Sequence, residues 1–140
     1  MQQLVVVASP DYLRRRGTPH RIEDVAAHAA VVFRMPSSGR LRPWQLREGR
    51  RVVEMHPAQR VQVNDGDGMV AAAQQGLGLT QIPDYMVADE LAAGTLVEVL
   101  ADKRPPPMPI SAVLPSSRLV PPRVRLLLDA LQGMRERRGA

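Results

Sequence analysis

The chain has no cysteine, which excludes disulfides, thiol chemistry and cysteine-ligated metals. Aromatics are scarce: Tyr12, Phe33, Trp44 and Tyr85 are all there are, too few for a surface that stacks bases. Lysine is reduced to Lys103, the remaining basic residues being arginine. With abundant alanine, glycine and proline, that bias reads as a GC-rich coding genome. No apolar run approaches the roughly 20 residues needed to span a bilayer. Met1–Val7 lacks a basic leader, and its apolar stretch is too short for the core of a signal peptide. A cytoplasmic location with no membrane partner is therefore expected.

What is present is an ordinary globular balance. The 140 residues are 44% hydrophobic and 24% charged, enough for one domain with a real core. The net charge of +5 invites a nucleic-acid reading. The arginines are nevertheless scattered, apart from Arg14-Arg15-Arg16 and the Arg135-Glu136-Arg137-Arg138 tail. Nucleic-acid binding calls for basic residues clustered on one face, so a solvated charged surface is the better reading.

Strands and helices alternate along the chain. Leu4–Ala8 is a short β-branched run. Ser9-Pro10 then starts a helix, with Ser9 as cap and Pro10 in the first turn, and Gly17 closes it. A second short helix is expected over Ile22–His28 and a buried strand over Ala30–Arg34, ended by the loop Pro36-Ser37-Ser38-Gly39. Trp44–Arg47, Arg51–His56 and Arg60–Val63 read as strands forming an antiparallel interruption. Asn64-Asp65 caps a helix over Gly66–Gln75, stopped by Gly76. A strand over Leu79–Ile82, a helix from Pro83-Asp84 to Ala93 and a strand over Leu96–Leu100 follow. Lys103–Pro109 holds four prolines and must be an extended crossover. Ile110–Leu114 returns to strand, and Pro121-Pro122 opens a last helix with Val124, Leu127, Leu128 and Leu131 on one face. The fold class is α/β, a sheet with helices on its faces.

No catalytic set assembles from these residues. His20, His28 and His56 lack metal-ligand spacing, and no serine sits in a nucleophile-elbow sequence. Gly66-Asp67-Gly68 and Gly76-Leu77-Gly78 are only fragments of dinucleotide fingerprints, the latter better read as a helix stop. Asp65 and Asp67 read as capping residues before they read as acid–base groups. Neither a metal nor a cofactor is expected. Binding remains: the loop at Ser37 and Ser38 offers hydroxyls and backbone N–H groups, and the helix after Asp65 offers its positive end. In open α/β sheets such groups gather where strands end.

Four segments in register resemble the effector-binding domain of LysR-type transcription regulators: Ala8-Ser9-Pro10-Asp11-Tyr12-Leu13 with Gly17-Thr18-Pro19; Phe33-Arg34-Met35-Pro36-Ser37-Ser38-Gly39-Arg40 with Trp44; Asn64-Asp65-Gly66 with Gly76-Leu77-Gly78-Leu79 and Ile82-Pro83; and Leu91–Val99 with the proline crossover, Pro115-Ser116 and the last helix. The resemblance implies a periplasmic-binding-protein-like (type 2) fold of two lobes with a small effector, often an organic anion, between them. Residues 1–9 would be the last strand of lobe one and the first crossover, 10–102 lobe two, 103–109 the return crossover, and 110–140 a lobe-one strand and C-terminal helix. The chain would hold one complete lobe and a remnant of the other, without the DNA-binding head and the first half of lobe one. Leu127 and Leu131 would then be under-covered. Met35, Ser37 and Ser38, then Asn64, Asp65 and Pro83, would line the effector site.

The expected function is effector sensing, with no chemistry and no direct DNA binding by these residues. The expected partners are a small-molecule effector, other copies of the chain or a full-length regulator. The rival readings are a stand-alone module that associates with full-length regulators, a small enzyme using Asp65 or Asp67, and a basic nucleic-acid binder.

Overall fold

The computed structural model describes residues 1–113 and 120–138. It divides into two units, Met1–Pro109 and Ile110–Ala140.

The first unit is built on a five-stranded mixed sheet. Its strands are β1 (Leu4–Ala8), β2 (Ala30–Phe33), β5 (Gln59–Val63), β6 (Leu79–Pro83) and β7 (Val97–Val99), in the order β5-β2-β6-β1-β7. Strand β2 runs parallel to both β5 and β6, whereas β1 is antiparallel to β6 and β7. A separate hairpin pairs β3 (Trp44–Glu48) with β4 (Arg51–Met55).

Strand periodicity sorts the core into two clusters. Along β1, Val6 and Ala8 join one cluster and Val5 and Val7 the other; along β2, Ala30 and Val32 part from Val31 and Phe33 in the same way. Successive side chains point to opposite faces, so both faces of the sheet are covered. This is why the Leu4–Ala8 run is apolar without alternation and wholly buried. One face carries Tyr12 of helix α1 (Pro10–Arg16), Val25 of a 3-10 helix (Ile22–Ala27), and Trp44 and Leu46 of the hairpin. The other carries Met69, Val70, Ala72 and Ala73 of helix α2 (Gly66–Gln74) and Leu91 of helix α3 (Ala88–Ala93). Burying each such Val, Leu or Met side chain contributes on the order of 1.5–3 kcal/mol.

The local signals behave as the residue chemistry dictates. Ser9 Oγ accepts from Tyr12 N–H at 3.1 Å to cap α1, and Gly17 takes up φ +82° at its end. Gly94, in the left-handed region, stops α3. Gly78 has a different job from the helix-stopping Gly76: a Cβ there would lie 2.4 Å from the Ala29 carbonyl oxygen, so only glycine lets the chain pass β2 so closely.

Leu4–Ala8 lies between β6 and β7 in the five-stranded sheet. Three expectations are corrected. Gln59–Val63 does not extend the antiparallel hairpin but leaves it after Pro57 to become an edge strand parallel to β2. The helix expected from Pro83-Asp84 to Ala93 is broken into a 3-10 turn at Asp84–Met86 and α3, because Val87 between them is fully buried with non-helical backbone. Residues 110–113 form no strand; Leu114 and the Pro115-Ser116-Ser117 stretch lie outside the described residues.

The second unit carries helix α4 (Pro122–Arg138), with Leu127 and Leu131 exposed at 59% and 49%. No helix among the described residues is long and apolar enough to cross a membrane.

Candidate functional site

The parallel strands β5, β2 and β6 are neighbours, so their carboxyl ends share one edge of the sheet. The six residues expected in a binding site all fall on that edge. Met35, Ser37 and Ser38 follow β2, Asn64 and Asp65 follow β5, and Pro83 ends β6. Ser37, Ser38, Asn64 and Asp65 are exposed, and Met35 and Pro83 are half-buried.

The two ends of the first unit also meet there. Leu4 at the start of β1 pairs with Pro83, and Gln2 bridges to Met108 in the proline-rich segment. Gln3 N–H donates to Asp84 Oδ1 at 3.1 Å and its side-chain amide donates to the Pro105 carbonyl at 2.7 Å. The Lys103–Pro109 stretch, extended after its first residue, is thereby fastened beside the N-terminal segment at the strand ends.

The loop after β2 is held by its own hydrogen bonds. Met35 N–H donates to the Arg40 carbonyl at 2.9 Å, Gly39 N–H returns to the Met35 carbonyl at 2.8 Å, and Gly39 sits at φ +66°. Arg34 clamps the loop by donating to the Gly39 carbonyl at 2.6 Å and to Gln62 Oε1 on β5. Ser38 Oγ accepts from Arg40 N–H at 3.3 Å. Such a loop presents its groups with little ordering left to do on binding.

At α2, Asp65 Oδ1 accepts from Gly68 N–H at 2.6 Å. The carboxylate is engaged as the helix cap, and the first-turn N–H groups of Gly66 and Asp67 begin a nine-residue helix whose positive end faces this edge. Asp67 is exposed. Among the described residues no three His, Asp or Glu side chains converge as metal ligands would.

Met35, one of the six expected residues, lines a depression of about 550 Å³ whose other walls are Arg40, Leu41, Pro43 and His56. Those four were not picked out from sequence. They meet because the hairpin pairs Trp44 with Met55, which leaves Pro43 and His56 flanking its open end. The one sequence signal was the absence of any acidic residue between Asp24 and Glu48, a stretch holding Arg34, Arg40, Arg42 and Arg47.

His28 is buried on the opposite side of the core from α2. Its Nδ1 lies 2.9 Å from the Tyr12 hydroxyl, which also accepts from Ala29 N–H at 3.0 Å. With that hydroxyl oxygen engaged by Ala29, we assign the Tyr12 O–H as the donor to His28 Nδ1. Burial first, then the nearby Arg16 charge, pulls the His28 pKa below its ordinary value, against an opposing pull from Asp24.

This architecture is that of an effector domain with the periplasmic-binding-protein-like type 2 fold. The chain belongs to the LysR substrate binding domain family, which it matches over residues 1–135. It is 32% identical over 131 residues to the HTH-type transcriptional regulator YhjC of Escherichia coli, covering 94% of this chain and 44% of that protein. It is 30% identical over 128 residues to the HTH-type transcriptional regulator CrgA of Neisseria meningitidis, covering 90% of this chain and 42% of that protein. Among solved structures, the regulatory domain of AphB from Vibrio vulnificus is 26% identical with a TM-score of 0.72, covering 95% of this chain and 64% of that one. A variant of that domain is 29% identical with a TM-score of 0.76, covering 91% and 63%. The chain thus spans less than half the length of these curated relatives.

Proposed function

We propose that this chain is the cytoplasmic small-molecule sensor of a LysR-type regulator, binding its effector at the carboxyl ends of β5, β2 and β6. The observation that carries this reading is the meeting at one edge of three parallel strand ends, a helix N-terminus and the bridge between Gln2 and Met108. Ligands of open α/β sheets bind outside such strand ends. Met35, Ser37 and Ser38 provide one side of the site, and Asn64, Asp65 and Pro83 the other. Residues 10–102 lie in lobe two, 103–109 form the return crossing, and 110–140 a part of lobe one. Effector binding shifts the lobes between arrangements, and a partner segment or subunit on DNA reads that shift. These residues bind and do no chemistry.

The test is a thermal-shift screen of the chain against organic acids, amino acids and sugars. At a hundred times its Kd a ligand stabilises the fold by about 2.7 kcal/mol. A hit is expected to lose its effect in Ser37→Ala/Ser38→Ala and in Asn64→Ala. A blank screen, or hits indifferent to both variants, contradicts the reading. Turnover of a hit, abolished by Asp65→Ala, would instead support an enzyme.

A second reading, association with another copy or with a longer regulator, is favoured by the exposed apolar side chains Ile110, Val113, Leu126, Leu127 and Leu131. Sedimentation of wild type against Leu127→Glu/Leu131→Glu separates an associating chain, which the variant returns to monomer, from one monomeric throughout.

A further inference from the structure

The hairpin has one closed edge and one open edge. Strands β3 and β4 form a two-stranded sheet of their own, so no strand among the described residues pairs with the far edge of β4. Glu48 and Arg51 flank the two-residue turn Gly49-Arg50, with Gly49 at φ +61°, and so form a hydrogen-bonded rung. Rungs alternate, which turns the backbone N–H and C=O groups of Val52 and Glu54 away from β3. The same alternation turns those of Gln45 outward on the opposite edge, where the Gln81 side chain takes up both. The β4 edge is left as a template for a further strand.

Side chains divide between the two faces of the hairpin. Val53 and Met55 pack into the core with Trp44 and Leu46. Val52, 46% exposed, and Glu54, also exposed, stand on the outer face. Among the described residues neither Arg50 nor Glu54 is in an ion pair, and Glu54 accepts only a 3.4 Å hydrogen bond from Gln45.

These residues select a register for a second copy of the same strand. A two-fold axis between antiparallel strands stands perpendicular to their sheet, so each residue meets one from its own face. Centring that axis on Arg51 would set two arginines opposite each other, and centring it on Glu54 two glutamates, both destabilising. Centring it on Val53 would set Val52 against Glu54 of the other copy. Centring it on Val52 sets the two valines against each other, with Arg50 of each copy opposite Glu54 of the other. On the inner face Arg51 then lies opposite Val53, which its aliphatic stem can cover.

We propose that β4 is an interaction surface for a second copy of this chain, paired antiparallel in the Val52-centred register to make one four-stranded sheet from two hairpins. The pairing covers Val52, occupies the open backbone groups and joins two unpaired charges of opposite sign on each side of the axis. It uses none of the residues assigned to the effector site, and its failure leaves the sensor reading untouched. It also differs from association through Leu127 and Leu131.

The test is sedimentation equilibrium of the 140-residue chain, in wild type and in the Leu127→Glu/Leu131→Glu background. A dimer is expected in both. Glu54→Arg and Arg50→Glu are each expected to weaken it by about tenfold, since both side chains are exposed and each change sets like charges opposite each other. An equimolar mixture of the two variants is expected to associate as wild type does, because every pair is again opposite in sign. The register has its own readout: the chain lacks cysteine, so Val52→Cys carries a single thiol. With oxidised glutathione it is expected to form a disulfide-linked dimer faster than Val53→Cys. A monomeric chain, a dimer lost in the Leu127→Glu/Leu131→Glu background, or a dimer indifferent to both charge variants overturns the proposal. A mixture no tighter than its components, or equal or reversed cross-linking rates, overturns it as well.

Discussion

The side-chain amide of Gln81, on β6, forms a reciprocal pair of hydrogen bonds with the backbone of Gln45, on β3: Gln45 N–H donates to Oε1 at 2.9 Å, and Nε2 donates to the Gln45 carbonyl at 2.7 Å. A single side chain thus stands in for a strand and ties the hairpin to the face of the sheet. Trp44 is fully enclosed beside the joint, and the hairpin end it begins carries Pro43 and His56.

Removing that joint is expected to loosen the hairpin before the sheet. Gln81→Leu leaves two backbone groups of Gln45 unpaired in a part-buried setting, a cost of about 1–3 kcal/mol. Trp44 is the sole tryptophan, so its emission reports the hairpin directly. Urea unfolding followed by that emission is expected to show a lower midpoint and a red-shifted native spectrum. An unchanged midpoint and spectrum would mean that the hairpin is held by the Trp44 and Leu46 packing alone.

Two glycines should respond differently to alanine. At Gly78 the new Cβ meets the Ala29 carbonyl oxygen at 2.4 Å and its carbon at 2.7 Å, both backbone. At Gly66 it meets the terminal methyl of Met86, which can rotate away. Gly78→Ala is expected to cost about 3 kcal/mol, and Gly66→Ala less than about 1 kcal/mol. Similar losses for both, in paired denaturation curves, would contradict the close approach of the chain before β6 to β2.

The cap at α2 distinguishes hydrogen bonding from charge. Asp65→Ala is expected to cost about 1 kcal/mol, with Asp65→Asn close to wild type, since either side chain offers an oxygen to Gly68 N–H. If the Asp65→Asn variant proved as unstable as the alanine variant, charge rather than the cap bond would be the stabilising feature.

Acid sensitivity is expected from His28. Its folded pKa is lowered from 6.5, so the unfolded chain binds the proton more readily. The contribution of His28 is therefore complete above pH 6.5 and is lost as pH falls from there through the lowered folded value. His28→Gln keeps an acceptor for the Tyr12 hydroxyl but does not titrate. Its unfolding midpoint should change less than that of wild type between about pH 7 and pH 5. Parallel decline of the two proteins would assign the acid sensitivity to other groups.

The elements were largely legible in the sequence because caps, glycine stops and β-branched runs are local. The Ser9 cap, the Asp65 cap and the buried β1 follow from neighbouring residues alone. Partnership was not legible. Nothing within Leu4–Ala8 says that it lies between β6 and β7, and nothing within Gln59–Val63 says that it leaves the hairpin for β2. Residues 110–113 have strand composition but no ladder partner among the described residues. The motifs put Met35, Ser37, Ser38, Asn64, Asp65 and Pro83 at strand ends, whereas Arg40 and His56 line one depression only through the fold of the loop and the register of the hairpin.

The central claim, that a small molecule binds at the carboxyl ends of β5, β2 and β6, is tested most directly by hydrogen exchange with and without a stabilising hit from the screen. Slowed exchange is predicted in peptides covering residues 34–42, 64–69 and 83–87, with little change in β7 or α4. Protection centred on β7 or α4, with the strand-end segments unchanged, would contradict it.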